Sequence, residues 1–192
     1  MTRTFTIQTG VGPAGPQGPA GADGSPKLVN VKTDHGAIGD GVADDTAAIQ
    51  AACDTGKNVY FPQGIYKISA EITITHSNDT VDIYGFGGQK FIGDGTSLTI
   101  IRQTANAANG FRVPGTSSYL EWHDMTIEGP SAQTSTGIGV KADAQLNVVW
   151  RMHNVVMRWW NIGFKGAMVD ATFDTCGIDG NVTGMWWTYE SG

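Results

Sequence analysis

Two groups of polar residues have types and spacings that could support proton transfer. His123, His153 and Asp174 follow one another at intervals of 30 and 21 residues. Imidazole titrates near neutral pH, so two of them beside a carboxylate could act as general acid and base. Glu128 and Asp179 have the same overall separation, and paired carboxylates are the usual requirement for glycoside hydrolysis. The sequence leaves the catalytic residues unknown and makes these five its candidates.

Strands of a repeated coil would position these residues. The repeated apolar or glycine positions are Trp122, Met125, Ile127 and Gly129, then Met152, Val155, Met157 and Trp159, then Phe173, Cys176, Ile178 and Gly180. In a solenoid each inward residue stacks on its counterpart in the next coil, so the residues between them form outward columns. Glu128 and Asp179, two coils apart, would lie roughly 9–10 Å from each other, near the range of inverting glycosidases.

A second interpretation of these columns needs no catalysis. Exposed solenoid faces are polar, and Arg158 falls between Glu128 and Asp179 in the same register, where it would pair with both acids. A globular β-sandwich is the architectural alternative to the solenoid.

Tryptophans crowd the C-terminal part of the sequence as two adjacent pairs, Trp159–Trp160 and Trp186–Trp187. Neighbouring residues of a strand point to opposite faces, so one member of each pair must lie outside the core. An outward indole could stack on a sugar ring or pack against a neighbouring chain. All four are therefore candidates for glycan binding or for a trimer interface.

Glycine occupies every third position near the N-terminus. The glycines of this period are Gly12, Gly15, Gly18, Gly21 and Gly24. A collagen triple helix requires this period because only glycine fits at its crowded axis. Residues 12–26 therefore predict a collagen-like stalk, and hence a homotrimer, after an N-terminal segment of residues 1–11. A flexible linker would explain the glycine content but not five unbroken triplets.

Composition and charge narrow the range of partners. The 192 residues carry a formal net charge of −6 without a run of Lys or Arg, which argues against nucleic-acid binding. No stretch of 18 uninterrupted apolar residues occurs, so membrane insertion is not expected. The N-terminus has no apolar stretch of signal-peptide length, so secretion by that route is not expected either.

Neither a metal site nor a disulfide is expected. Asp40, Asp44 and Asp45 lack the alternating ligand spacing of a calcium loop, so no metal or other cofactor is predicted. Cys53 and Cys176 lie far apart in the sequence, and each is expected to be a small apolar core residue.

The remaining residues, 27–192, predict one mainly β domain that contains a short helix. Asp44 or Asp45 can cap a helix of about residues 45–55. Short strands are expected on either side of the turn at residues 62–64. The pattern predicts four to five coils, with the spare residues between Gly129 and Gln145 looping outward.

The segment DHGAIGDGVADDTAAIQAA, residues 34–52, followed by VYFPQGIYKI, residues 59–68, resembles the opening of pectate-lyase-like β-helix proteins. In that family a short amphipathic helix caps the open end of the solenoid. The resemblance implies a mainly β, right-handed parallel β-helix with an N-terminal capping helix, preceded here by the collagen-like triple-helical segment. With glycine triplets upstream, the chain most resembles bacteriophage tail fibres and tailspikes.

This resemblance implies a trimeric tail subunit that attaches the virion to a bacterial surface polysaccharide. Its other partners would be phage tail proteins, and its location would be the virion tail, outside cells after assembly in the host cytoplasm. A capsule or lipopolysaccharide depolymerase, acting as a lyase or glycoside hydrolase, is the main alternative. A structural connector in the tail is another. Because one fold serves lyases, hydrolases and inactive binding proteins, the resemblance leaves enzymatic activity open.

Overall fold

Short strands make up most of the structure. The computed structural model describes residues 28–75, 88–114, 118–130, 135–143, 148–167 and 170–188. The strands are β1 (Leu28–Asn30), β2 (Asp40–Asp44), β3 (Asn58–Phe61), β4 (Gly64–Ile68), β5 (Ile72–Thr73), β6 (Gln89–Gly93), β7 (Thr99–Gln103), β8 (Phe111–Val113), β9 (Ser118–Glu128), β10 (Ile138–Ala142), β11 (Val148–Arg158), β12 (Ile162–Ala167), β13 (Asp170–Asp174), β14 (Gly177–Asp179) and β15 (Thr183–Thr188). Within the same ranges there is one helix, α1 (Thr46–Cys53).

All strand pairs among the described residues are parallel, and they form two sheets. The smaller sheet has the order β15-β12-β10-β8-β5. The larger runs β1-β3-β6-β9-β7-β4-β2, with β11 paired to β9, and with β13 and β14 paired to β11. Its longest pairing joins β9 to β11, from Ser118↔Val148 to Glu128↔Arg158. The predicted mainly β, parallel architecture is confirmed, whereas its right-handed sense stays a prediction.

The larger sheet bends at one residue in each of three successive coils. Asp124 in β9, Asn154 in β11 and Thr175 between β13 and β14 have φ values of 56°, 52° and 55°. Asn and Asp tolerate this left-handed conformation better than most residues. The side-chain amide of Asn154 donates a 2.7 Å hydrogen bond to Oδ1 of Asp124. The bend thus divides the sheet into two flanks, and the hydrogen bond at the bend joins adjacent coils.

Aromatic rings stack through the interior from one coil to the next. Phe91 and Trp122 have ring centroids 5.2 Å apart, and Trp122 and Trp150 lie 5.0 Å apart, both pairs nearly parallel. Phe164 meets Trp150 edge-on at 5.1 Å. These four side chains are fully buried. Such aromatic pairs contribute about 0.5–1.5 kcal/mol each beyond their buried area, so the ladder holds consecutive coils together.

Trp160 fills a space lined by glycines. Its indole is fully buried, and Nε1 donates to the carbonyl oxygen of Ile127 at 3.0 Å. A Cβ added at Gly139 would lie 3.2 Å from that Nε1 and 2.5 Å from the carbonyl oxygen of Gly163. Trp160 is therefore a core residue. Its candidate role in glycan binding or trimer contact is corrected, because its indole has no exposed face to offer.

Helix α1 lies within the range predicted for it. Ile49, Ala52 and Cys53 form its buried face, and the helix packs against β5 and β3. Burial raises the pKa of the Cys53 thiol, so this side chain behaves as a neutral apolar group. The role of α1 as a cap of the solenoid stays a prediction.

The two aspartates before α1 have different tasks. Asp44 precedes the N-cap residue Asp45, and its Oδ1 accepts the backbone N–H of Thr46, the first residue of the helix, at 3.0 Å. Asp45 is buried and accepts the amides of Ile38 at 2.7 Å and Gly39 at 3.0 Å. Asp45 is the N-cap residue, but its side chain anchors the preceding turn and makes no capping hydrogen bond to the helix.

The segment between Gly129 and Gln145 contains a strand, which corrects the outward loop expected there. Strand β10 pairs with β8 on one side and β12 on the other. The repeat found in the sequence covers only strands of the larger sheet. Strand β10 belongs to the smaller sheet.

Cys53 is buried as expected, whereas Cys176 is only half-buried, and both thiols are free.

The N-terminal segment, residues 1–11, and the collagen-like glycines of residues 12–26 lie outside the described residues. The stalk, the domain boundaries and the homotrimer stay predictions. In the part of the chain that the structure describes, no helix is long and apolar enough to span a membrane.

Candidate functional site

Two groups of polar side chains occupy the outer face of the larger sheet. The first, here called the histidine cluster, consists of Lys90, Tyr119, Glu121, His123, Arg151, His153 and Asp174. The second, the arginine cleft, is lined by Arg102, Gln103, Thr104, Glu128, Gly129, Pro130 and Trp159, and Arg158 lies over the Trp159 ring. Strand β9 contributes to both groups, on opposite sides of its bend.

Strand alternation creates the histidine cluster. Leu120 and Trp122 of β9 are fully buried, so Tyr119, Glu121 and His123 between and beside them point outward. The neighbouring strands place Lys90 and Arg151 on either side of Glu121. One side chain from each of three coils thus reaches the same patch of surface.

Glu121 is the centre of the cluster. Its Oε1 accepts the hydroxyl of Tyr119 at 2.5 Å, while Oε2 lies 3.0 Å from Nε2 of His123 and 3.0 Å from Nζ of Lys90. Burial by itself would raise the pKa of Glu121, but the hydrogen bonds from Tyr119, His123 and Lys90 outweigh it and leave the pKa lowered. Glu121 is therefore an ionised acceptor at neutral pH.

Tyr119 stays a hydroxyl donor. Burial and the hydrogen bond to Glu121 raise its pKa, although the bond from Arg151 acts in the opposite direction. Nε of Arg151 lies 3.0 Å from the Tyr119 hydroxyl, and its guanidinium lies 5.9 Å from the ring centroid. The cation therefore fixes the orientation of the phenol.

Each histidine of the cluster has a carboxylate partner. Nε2 of His123 faces Glu121, and Nδ1 of His153 lies 2.9 Å from Oδ2 of Asp174. A carboxylate accepts the ring N–H of a neutral imidazole, which leaves the other ring nitrogen with a lone pair. The two ring centroids are 6.1 Å apart. The arrangement can therefore accept or donate protons at two adjacent points of the surface.

The predicted column of His123, His153 and Asp174 exists in the register foreseen from the repeat. Its catalytic role stays a prediction. Glu121 and Tyr119 were not among the predicted site residues, although their spacing of two and four residues from His123 assigns them to the same face. Lys90 and Arg151 carry no comparable signal, because their contacts depend on pairing between separate coils.

Glu128 is the buried floor of the arginine cleft. Its Oε1 accepts Nε of Arg102 at 2.5 Å, and its Oε2 accepts Nε and Nη2 of Arg158 at 3.0 and 2.7 Å. Asp179 aligns with Arg158 on the other side, and Asp179 is exposed. Arg158 pairs with Glu128 as the ion-pair interpretation expects, but among the described residues it forms no ion pair with Asp179. A catalytic role for Glu128 and Asp179 stays a prediction.

Trp159 forms one wall of the cleft, which has a volume of about 380 Å³. Its φ is +65°, a conformation rare for a bulky residue, and its side chain is 40% exposed. The guanidinium carbon of Arg158 lies 4.7 Å from its ring centroid. A Cβ at Gly180 would come within 2.8 Å of Cδ1 of Trp159, so glycine leaves room for the indole.

The second tryptophan pair is only partly defined. Trp186 and Trp187 belong to β15, where they align with Lys165 and Gly166 of β12. Their side chains lie outside what the structure describes. Their roles in glycan binding or trimer contact stay predictions.

The smaller sheet offers a comparable ion pair away from both groups. Nε of Arg112 lies 2.5 Å from Oδ2 of Asp143, and Nζ of Lys141 lies 2.9 Å from Oδ1 of the same acid. No group of three or more His, Cys, Asp or Glu residues suited to a metal ion occurs within the described ranges.

Parallel strands stacked in successive coils, with an aromatic interior and a polar outer face, define a β-solenoid protein. The chain belongs to the rhamnogalacturonase A/epimerase, pectate lyase-like family, whose model matches residues 28–128. The matched segment includes Glu121, His123 and Glu128 but ends before His153 and Trp159.

Two known proteins illustrate what the chain is similar to, one of them by both sequence and solved structure. Mannuronan C5-epimerase AlgE6 of Azotobacter vinelandii is 56% identical over 121 residues, which cover 55% of this chain and 13% of that protein. Its A-module has a solved structure with a TM-score of 0.56 and 26% identity, covering 79% of this chain and 50% of that one. ORF18 of Geobacillus virus E2 has a TM-score of 0.54 and 25% identity, covering 76% of this chain and 31% of that one.

These neighbours confirm the parallel β-helix class of the fold. The chain spans between 2% and 13% of the lengths of the curated relatives it matches.

Proposed function

We propose that the chain is a subunit of a bacteriophage tail fibre or tailspike that attaches the virion to a bacterial surface polysaccharide. The resemblance of its opening segment, the likeness to a phage protein and the likeness to a mannuronan epimerase support this proposal. The proposal includes a homotrimer joined through residues 12–26, contact with other tail proteins, and a location in the virion tail.

The exposed indole of Trp159 is the observation that carries the proposal. Backbone strain in a bulky residue persists only where the surroundings impose it, and such residues cluster at ligand sites. Here the strain presents a flat aromatic surface beside a cleft of ligand size. Aromatic faces of this kind pack against the apolar faces of sugar rings.

Binding is tested by mixing the purified protein with a panel of acidic and neutral bacterial capsular polysaccharides on a sizing column. Retention and polymer length are followed together. Trp159→Gly removes the indole and relieves the strained φ, and we expect affinity to fall about tenfold. Ile178→Ala is the matched control, since Ile178 is also 40% exposed but lies outside the cleft lining. A wild-type protein that binds no polysaccharide would support the structural connector and contradict this proposal.

A second candidate, the depolymerase, is favoured by the two carboxylate–histidine pairs of the histidine cluster. In a lyase, a base removes the sugar C5 proton while the C4–O bond breaks and the leaving oxygen gains a proton. In a hydrolase, an acid protonates the glycosidic oxygen as the C1–O bond breaks, and water adds to C1 while a base takes its proton. Shortened polymers on the same column would support this candidate. His123→Ala should then abolish shortening while retention persists.

A further inference from the structure

We propose that Asp179–Gly180 is a site of spontaneous covalent modification, at which a succinimide ring forms and reopens to isoaspartate. The modification is independent of polysaccharide binding. It requires an aspartate or asparagine directly before a glycine, because the missing Cβ leaves the glycine nitrogen open to attack by no more than its neighbour's side chain. It also requires that this nitrogen and this side chain are not held by other hydrogen bonds.

The reaction proceeds in two balanced steps. The Gly180 nitrogen first forms a bond to the side-chain carboxyl carbon of Asp179. The bond from that carbon to its hydroxyl oxygen breaks, and the hydroxyl leaves with the amide proton as one water. Water then adds to one of the two ring carbonyls. Opening at the side-chain carbonyl restores aspartate, whereas opening at the main-chain carbonyl leaves isoaspartate, in which the chain runs through the side chain.

Four sites of this kind lie in the described ranges, and hydrogen bonds hold the side chains of the first three. The four are Asp40–Gly41, Asp94–Gly95, Asn109–Gly110 and Asp179–Gly180, and a fifth, Asp23–Gly24, lies outside those ranges. Oδ1 of Asp40 accepts two backbone N–H groups at 2.8 Å, those of Val42 and Ala43. Asp94 accepts the hydroxyl of Tyr60 and the backbone N–H of Gln63, both at 2.7 Å.

Asn109–Gly110 is held at both reacting groups. The side-chain amide of Asn109 donates to Glu71, and its Oδ1 accepts the backbone N–H of Ile138 at 3.0 Å. The N–H of Gly110 donates to the carbonyl oxygen of Ile138 at 2.9 Å. Ring closure at this site would have to break all three hydrogen bonds, so the fold protects it.

Asp179–Gly180 has neither restraint. Both residues are exposed, and no described residue forms a hydrogen bond or ion pair with the Asp179 carboxylate. In the two preceding coils the corresponding N–H groups are used, since Gly129 donates to Arg158 at 2.9 Å and Trp159 donates to Asp179 at 3.2 Å. No described residue accepts the N–H of Gly180. Both reacting groups are therefore available.

Isoaspartate would alter the contact that positions Trp159. The main-chain carbonyl oxygen of Asp179, which accepts the Trp159 N–H, becomes part of a free carboxylate. The main chain also lengthens by one methylene before Gly180, and a Cβ at Gly180 would already lie within 2.8 Å of Cδ1 of Trp159. We therefore expect the modification to loosen the Trp159 wall of the arginine cleft.

The test compares the four described sites within one protein. The purified chain is stored for several weeks at neutral pH and physiological temperature, and a second sample is stored unfolded in guanidinium chloride. Peptide maps by mass spectrometry and isoaspartyl methyltransferase labelling then measure isoaspartate at each site. In the folded sample we expect it to accumulate several-fold faster at Asp179 than at Asp40, Asp94 or Asn109. In the unfolded sample Asn109 should react first, because asparagine before glycine cyclises faster than aspartate.

Two variants test the chemistry at Asp179. Asp179→Glu is the matched control, because it keeps the carboxylate but would need a six-membered ring, so we expect no modification. Asp179→Asn should react faster than the wild type, releasing ammonia in place of water. Acrylamide quenching of tryptophan fluorescence should rise on storage in the wild type and not in Asp179→Glu. Trp159→Phe should also lack this rise, which assigns it to that indole.

The outcomes are separate from those of the polysaccharide experiment. Isoaspartate that is absent from Asp179 in the folded sample, or that forms equally fast at Asp40 and Asp94, would overturn the proposal, because free groups would then not determine the site. Modification of Asp179 without a rise in quenching would support the site and overturn its effect on Trp159. The comparison among sites uses the wild type alone, so it does not depend on the folding of a variant.

Discussion

At the scale of single residues, Glu121 links the chemistry of the outer face to stability. Its pKa is lowered from 4.5 by its hydrogen-bond partners despite burial. A carboxylate with a lowered folded-state pKa stabilises the protein above its unfolded pKa, and this contribution disappears as the pH falls through the folded value. Glu121→Gln should therefore be less stable than the wild type at pH 7 and should lose less stability on acidification below pH 4.5.

Urea unfolding between pH 7 and pH 3 measures this difference. Asp174→Asn is the control, because it removes one carboxylate from the exposed side of the same cluster, where the side chain is 63% exposed. Parallel stability curves for Glu121→Gln and the wild type across the acidic range would contradict the expected contribution of Glu121.

At the scale of elements, the bend of the larger sheet depends on a backbone conformation and on a side-chain bond. Asn154 supplies both, through its φ of 52° and its hydrogen bond to Asp124. Asn154→Gly retains the conformation and loses the bond, which we expect to cost about 1 kcal/mol. Asn154→Ala loses both, and the left-handed backbone adds about 1–2 kcal/mol. Urea midpoints should therefore fall in the order wild type, glycine variant, alanine variant.

An alanine variant as stable as the glycine variant would show that the bend does not require a left-handed residue.

The three-residue step from Trp122 to Met125 has its origin in the same bend, since Asp124 interrupts strict alternation. The apolar spacing therefore predicted the register between coils. That register in turn predicted that His123 and His153 lie in one column. This part of the fold and of the site could be predicted from the sequence.

Other features depend on contacts between coils and have no local signal. Alternation correctly required one outward member of the pair Trp159–Trp160, but it could not say which. Trp159 is outward because its left-handed backbone ends the strand, while glycines of neighbouring coils make room for Trp160. Strand β10 was missed because the repeat was read from a single sheet. Of the two partners of Glu128, only Arg158 was predicted, because Arg102 reaches Glu128 from an earlier coil.

At the scale of the whole molecule, trimerisation through the collagen-like residues is the remaining structural prediction. In a triple helix, only the glycine of each triplet is enclosed at the axis, so position matters more than composition. Gly18→Ala should therefore lower the trimer fraction at dilute concentration, measured by sedimentation. Gln17→Ala, the same new residue one position earlier, should leave it unchanged.

Five triplets are too few to hold three chains together alone, because a short ordered segment gains little against the conformational entropy it loses. The substitution should therefore shift the trimer–monomer balance without abolishing the trimer, provided that contacts between the solenoids contribute. A flexible linker predicts equal behaviour of Gly18→Ala and Gln17→Ala, and that result would remove the triple helix from the proposal. Polysaccharide binding measured on the same samples then shows whether three clefts on one particle bind more tightly than one, as multivalent attachment requires.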